Sequence, residues 1–263
     1  MEVLVLASGS SGNAALIRSG SSVVLVDAGV SAFQIRRRME AFGVVPEQVD
    51  AVFLTHEHSD HVRGLEVFLR RHRAAPVWAT AGTFRKLRSS PQQRSVLRSG
   101  MTVIVGGLRV TAVETSHDAA EPVAYVFDDG SHSAGLCTDT GRFTTLLQQR
   151  MQGCELLLLE ANHDRDLLRH GPYPWPLKQR IDSSTGHLSN HQSLEAIGLV
   201  GSSVLRAVVG LHLSAENNCP TMVCESLQAA AGPGVAVAAV TRQQMLRVRL
   251  NSDGASLEHH ELP

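Results

Sequence analysis

Thr55-His56-Glu57-His58-Ser59-Asp60-His61 follows directly on the apolar run Asp50-Ala51-Val52-Phe53-Leu54. Three imidazoles and a carboxylate thus stand at spacings i, i+2, i+4 and i+5 at the mouth of a buried strand. A strand end with a tight turn projects His56 and His58 to one side and brings Asp60 and His61 toward a neighbouring point, a disposition for two metal ions. Imidazole and carboxylate suit Zn²⁺, Mn²⁺ and Fe, and the lack of thiolate in the cluster argues against a closed structural zinc site.

Working outward, residues 2–6, 14–18 and 23–26 read as short β-branched strands, the first two separated by the turn Ala7-Ser8-Gly9-Ser10-Ser11-Gly12-Asn13. Residues 31–42 read as an amphipathic helix with Ser31 as N-cap and Gly43 as its stop. Strand 50–55 enters the histidine cluster and helix 62–73 leaves it. Gly106-Gly107 and Asp128-Asp129-Gly130 mark hairpins joining 102–105 to 108–113 and 123–127 to 132–137. Beyond them lie helix 142–151, strand 155–160 and a Pro-rich loop through Pro172, Pro174 and Pro176. Helix 189–199, strand 205–211, helix 216–231 and strands 235–240 and 244–250 complete the chain. No linker interrupts this pattern, so residues 1–263 are expected to form one α/β domain of two sheets flanked by helices.

Other candidate ligands recur at strand ends: His117 after strand 108–113, Asp139 after Cys137, and His212 after Val208-Val209-Gly210-Leu211. Ligands at the same end of several strands converge in space.

Composition is otherwise plain. The chain is 43% hydrophobic, has net charge −1, and holds thirteen His against two Trp and two Tyr. Its four Cys have no C-x-x-C spacing, its opening residues lack the basic region of a secretory signal, and its apolar runs are strand-sized. A reduced, cytoplasmic protein with no membrane partner is expected. The sequence carries no signal for an oligomeric state.

His-x-His-x-Asp-His followed by a lone His, a lone Asp and a last His resembles the metallo-β-lactamase superfamily over nearly the whole chain. Leu6 to Asn13, Glu160-Ala161-Asn162-His163-Asp164, Gly186-His187-Leu188-Ser189-Asn190 and His212-Leu213-Ser214-Ala215-Glu216-Asn217-Asn218 are similar to its YycJ/WalJ branch, whose members are DNA exonuclease-like. The resemblance implies an αββα sandwich and two divalent ions, Zn or Mn, with Fe also suited. His56, His58 and His117 would hold one ion, and Asp60, His61 and His212 the other, with Asp139 as the bridge. Such a pair of ions shares a water and lowers its pKa toward neutrality, so that hydroxide is the nucleophile.

Asp60, Glu160 and His187 are the catalytic residues that the resemblance implies. Glu160 and His187 resemble the carboxylate and histidine of ribonuclease Z-like phosphodiesterases, where the His donates a proton to the leaving group. Asp27 would fix a ligand His or serve as a strand-terminal turn residue. Ser10 and Asn13 lie in a loop that resembles a phosphate-facing turn. His163 would orient substrate or a ligand, or sit in the turn before the next helix.

Between Arg36 and Arg98 there are twelve Lys or Arg against six Asp or Glu, which leaves the rest about seven negative. Arg70, Arg71 and Arg73 belong to this stretch, which fits either a phosphate backbone or solvated helix faces. Only 72 residues separate Asp139 from His212, too few for the clamping domain of β-CASP nucleases, and the 21 between His117 and Asp139 leave no room for a long tRNA-gripping arm. DNA or another phosphodiester is the expected substrate. A 5′-end DNA exonuclease leads, with a cyclic-phosphodiester hydrolase, a thioester or lactone hydrolase and a non-catalytic nucleic-acid-binding protein as alternatives.

Overall fold

The computed structural model describes residues 1–72, 75–201 and 203–263. The first sheet begins with β1 (Glu2–Ala7), β2 (Ala14–Ser19), β3 (Ser22–Val26), β4 (Ala51–Phe53), β5 (Val77–Thr80) and β6 (Arg94–Leu97). The second contains β7 (Thr102–Val105), β8 (Leu108–Glu114), β9 (Val123–Asp128), β10 (Ser133–Cys137), β11 (Leu156–Glu160), β12 (Ala207–Leu211) and β13 (Ala236–Ala239). A closing hairpin, β14 (Gln244–Asn251) and β15 (Gly254–Glu261), returns to the first sheet beside β1. Pairing from β3 to β6 and from β10 to β13 is parallel; the remaining pairs are antiparallel.

The sheets pack face to face. Leu156 and Leu158 of the Leu-rich β11 enter the core between them, with Val5, Phe53, Tyr125, Val209 and Leu246, whereas Leu157 and Leu159 face the outer helices. Strict two-residue alternation with both faces buried is why this strand is continuously apolar. Outside the first sheet lie α1 (Ala32–Ala41), α2 (Ser59–Val62), α3 (Leu65–Arg71) and α4 (Ala81–Lys86). α5 (Thr145–Met151) follows, then α6 (Arg165–His170), α7 (Trp175–Ile181), α8 (Asn190–Val200) and α9 (Pro220–Ala231). α5, α8 and α9 cover the outer face of the second sheet. The architecture is an αββα sandwich.

Helix ends follow local chemistry. Ser31 caps α1 and Ser189 caps α8, each in a reciprocal box with Gln34 or Gln192. The helix expected over 62–73 is instead two, because the amide of Gly64 donates to the Ala28 carbonyl at 2.7 Å and breaks the ladder. The segment expected to be a Pro-rich loop contains α6 and α7; Pro176 occupies the first turn of α7, where a missing amide costs nothing. β5, α4, β6 and β15 were not expected. Arg73 lies outside the described residues. Among those described, no helix is long and apolar enough to cross a membrane.

Candidate metal centre

Each site residue leaves the C-terminal end of a strand: Asp27 from β3, the His56–His61 turn from β4, His117 from β8, Asp139 from β10, Glu160 from β11 and His212 from β12. Carboxyl ends of parallel strands are where open α/β sheets place ligands. Among the described residues, the non-glycine residues with left-handed φ are Asp27 (59°), Asp139 (56°) and His212 (56°). Strained backbone thus concentrates where these side chains turn inward. Gly29 closes the floor: a Cβ there would meet the Asp60 carbonyl oxygen at 1.6 Å, so only glycine lets the ligand turn lie this close.

Ligand atoms gather into overlapping sets. His56, His58 and His117 form one; Asp60, His61 and His212 form another; Asp139 joins His56 and His61 in a third, with atoms in each set within 4.8 Å of one another. Three imidazoles have their Nδ1 proton fixed by an outer acceptor. Nδ1 of His61 lies 2.7 Å from Asp27 Oδ2, that of His117 3.0 Å from the Gly186 carbonyl, and that of His212 3.0 Å from Glu160 Oε1. With the proton there, Nε2 of each presents a lone pair to the cluster. It faces Asp139 Oδ2 at 3.1 Å from His61, His58 Nδ1 at 3.2 Å from His117, and Asp60 Oδ2 at 3.4 Å from His212.

Lone pairs facing one another in a buried site call for a cation or a second proton between them. Nε2 of His56, buried, has no hydrogen-bond partner. This donor set fits divalent metal ions. Protonation in the absence of metal follows the same logic. Burial opposes charge on His61, but Asp139 and Asp27 overcome it and raise its pKa well above the usual range. Burial likewise opposes charge on His212, yet Asp139, Asp60 and Glu160 push it up to about 10. His56, deprived of solvent and beside His61, is held well below the usual histidine value. Asp139 and Asp60 remain ionised: burial is outweighed by the surrounding histidines, and both pKa values fall.

Glu160 is fully buried and acts as a hub. Its Oε1 lies 2.7 Å from His187 Nδ1 and 3.0 Å from His212 Nδ1, while Oε2 accepts from the amides of Thr140 and Leu188. Burial would raise its pKa, but His187 and His212 hold it at about 2. His187, although burial favours its neutral form, is raised by the Glu160 charge. Its side chain is 20% exposed and lines a pocket of about 290 Å³ with His58, Asp60, His117, Asp139 and His212.

The profile of the β-lactamase superfamily domain matches residues 23–212, the span from β3 through the last candidate ligand. Exodeoxyribonuclease WalJ of Streptococcus pneumoniae serotype 2 is 37% identical over 88% of this chain and 90% of its own. Exodeoxyribonuclease YycJ of Bacillus anthracis is 33% identical over 81% of this chain and 83% of its own. The chain belongs to the β-lactamase superfamily, in its WalJ/YycJ branch. Among solved structures, the metallo-β-lactamase fold protein YhfI of Bacillus subtilis superposes with TM-score 0.68 at 19% identity, covering 93% of this chain and 98% of that one, a likeness of fold.

For this superfamily member, the residues singled out in the sequence divide by position. The seven candidate ligands, Asp27, Glu160 and His187 come together in one network. Ser10 lies on the pocket wall. Asn13 does not: it is buried, accepts from the Gly9 amide, and brings Nδ2 to 3.1 Å from His61 Nε2. His163 is buried with both ring nitrogens lacking hydrogen-bond partners. Arg70 lines a separate cavity with Leu65, Glu66 and Val77 that shares no residue with the histidine pocket, and Arg71 ends α3. The pocket wall adds residues that sequence reasoning missed, among them Asp118, Asn162, Tyr173, Arg180 and Ser214. A basic and aromatic run inside the Pro-rich segment was the available signal.

Proposed function

We propose that the chain is a two-metal phosphodiesterase that degrades DNA from an end, the 5′ end in particular. The observation that carries this reading is the Glu160–His187 pair, 2.7 Å apart, on the wall of the pocket that holds the ligand cluster. Thioester hydrolysis does not require a proton donor so placed, because a thiolate departs without a proton. The similar WalJ and YycJ proteins, named exodeoxyribonucleases, support DNA as the substrate.

His56, His58 and His117 would hold one divalent ion and Asp60, His61 and His212 a second, with Asp139 between; zinc and manganese suit this set, and iron also. When bound, the ions lower the pKa of water toward neutrality and offset the charge that builds on the phosphate. Asp60, ionised and on the pocket wall, can orient the attacking water by accepting a hydrogen bond from it. Asp27, Glu160 and the Gly186 carbonyl keep His61, His212 and His117 in the tautomer that offers Nε2. His187, kept protonated by Glu160, donates to the sugar oxygen as it departs. The free cysteines agree with a cytoplasmic setting.

Linear DNA labelled at its 5′ or 3′ end, compared with a covalently closed circle under Mn²⁺ and Zn²⁺, tests the proposal. Early release of the 5′ label with the circle intact is expected. Cleavage of the circle would overturn end-directed action, and hydrolysis of a cyclic phosphodiester with no attack on DNA would transfer the same chemistry to a small substrate.

A further inference from the structure

Helix α7 buries no side chain. Its apolar Leu177 and Ile181 are half-buried and, with Arg180 and Tyr173 just before the helix, form one wall of the histidine pocket. It is also fastened to the loop that carries His187. The His187 amide donates to the Ile181 carbonyl at 2.9 Å, and a Cβ on Gly186 would lie 2.2 Å from the carbonyl oxygens of Arg180 and Ile181. Only glycine allows that approach, so the end of α7 lies directly against the His187 loop.

The chain has two Trp and two Tyr. Tyr125 is fully buried, with its hydroxyl donating to the Leu54 carbonyl, and Trp78 stacks on Phe53 at 6.1 Å. The other two flank Pro174: Tyr173 lines the pocket, and Trp175 follows it at the start of α7. Trp175 is 64% exposed, and among the described residues no other aromatic ring or cation stacks on it or on Tyr173. From 164 to 182 the chain carries Arg165, Arg169, Lys178 and Arg180 against Asp164, Asp166 and Asp182, and Asp182 lies 3.6 Å from Arg165. Arg180 gives Nε to Asp118 Oδ2 at 2.7 Å, and its side chain is 62% exposed. The rest of the guanidinium fork is thus held at the pocket mouth beside His117 with donors to spare.

We propose that Tyr173, Trp175 and Arg180 form a platform for single-stranded nucleic acid, on which bases next to the cleaved bond stack on the two rings while Arg180 takes a phosphate. The inference rests on the nuclease reading and names the form in which that site accepts its substrate. An exposed ring, Trp175, and a half-buried one, Tyr173, beside basic side chains make the kind of surface that binds single strands without sequence preference, since every base has a π-face. A pocket of about 290 Å³ has the size of a small-molecule site, which admits a nucleotide but not a duplex.

Two measurements test it. In the first, metal-free protein is titrated with an octathymidylate and, separately, with a blunt hairpin duplex, following tryptophan emission against the Trp175→Phe variant. Quenching specific to Trp175 and tighter binding of the single strand are expected; flat Trp175 emission or equal affinity for the duplex would overturn the platform. In the second, Tyr173→Ala with Trp175→Ala should raise KM for single-stranded DNA by about 5- to 150-fold per lost stack with a far smaller change in kcat. Tyr173→Phe with Trp175→Phe should restore KM to within about twofold, because the ring is what binds. DNA degradation with KM indifferent to the alanine pair would overturn the platform and leave the nuclease reading standing. Single-strand binding that quenches Trp175 without any DNA cleavage would support the platform and remove the nuclease reading.

Discussion

Oε1 of Glu160 lies 2.7 Å from Nδ1 of His187, and the same oxygen is 3.0 Å from Nδ1 of His212. One buried carboxylate therefore holds both a candidate proton donor and a candidate metal ligand. The two roles separate by leaving group. A nitrophenolate departs without a proton, whereas a sugar alkoxide needs one in the transition state, and removing a positioned acid costs about 10² to 10⁴ in rate. His187→Ala should slow DNA cleavage by that factor and leave bis(nitrophenyl) phosphate cleavage within about threefold, with metal content unchanged. Equal losses on both substrates would make His187 a scaffold residue.

The pH profile follows from the same pair. Glu160 raises the His187 pKa, so the protonated, donating form persists to higher pH than for a free histidine and is lost as pH rises through the raised value. The rate on DNA should fall along an alkaline limb. Glu160→Gln should move that limb to lower pH, while cleavage of the nitrophenyl diester lacks it in both proteins. An unmoved limb would detach Glu160 from the acid role.

Loading of the site should release protons. His212, pushed up to about 10, and His61, also raised, are protonated at neutral pH without metal, and an incoming cation must displace those protons. Apparent metal affinity should therefore increase with pH. Calorimetric titration with Zn²⁺ in buffers of different ionisation enthalpy should report net proton release. A binding enthalpy independent of buffer would contradict the protonation read here.

Gly29 offers a backbone test. A Cβ there would stand 1.6 Å from the Asp60 carbonyl oxygen and 2.5 Å from the Asn13 amide nitrogen, both main-chain atoms that cannot swing aside. Gly29→Ala should cost about 3 kcal/mol or more in unfolding free energy and weaken metal retention by displacing the turn that carries Asp60 and His61. Denaturant melts with metal analysis measure both, and a variant matching its parent in each would refute the close contact.

The central cluster was legible in the sequence because its signal is short-range: His56, His58, Asp60 and His61 share one turn. His117, Asp139 and His212 could be added because strand ends are visible as breaks in apolar alternation. Asn13 was harder. Its burial under His61 depends on the turn after β1 meeting the turn after β4, a contact no local pattern encodes. Tyr173 and Arg180 were hidden for a different reason. Three prolines in five residues read as loop, although a proline in the first turn of α7 is compatible with a helix. β5 and β6 are four residues each and become strands only through parallel pairing, β5 to β4 and β6 to β5, and β15 is a half-exposed edge whose charged residues obscure the alternation.

The binuclear site is tested most directly by titrating metal-free protein with Mn²⁺ while recording both bound metal and nucleotide release from end-labelled DNA, alongside Asp139→Ala. If the seven candidate ligands hold two ions with Asp139 shared, as proposed, release should approach its maximum only as the second equivalent binds, and Asp139→Ala should bind both ions more weakly and release no nucleotide above background. Full activity at one equivalent, or two tightly held equivalents with intact DNA, would contradict the account.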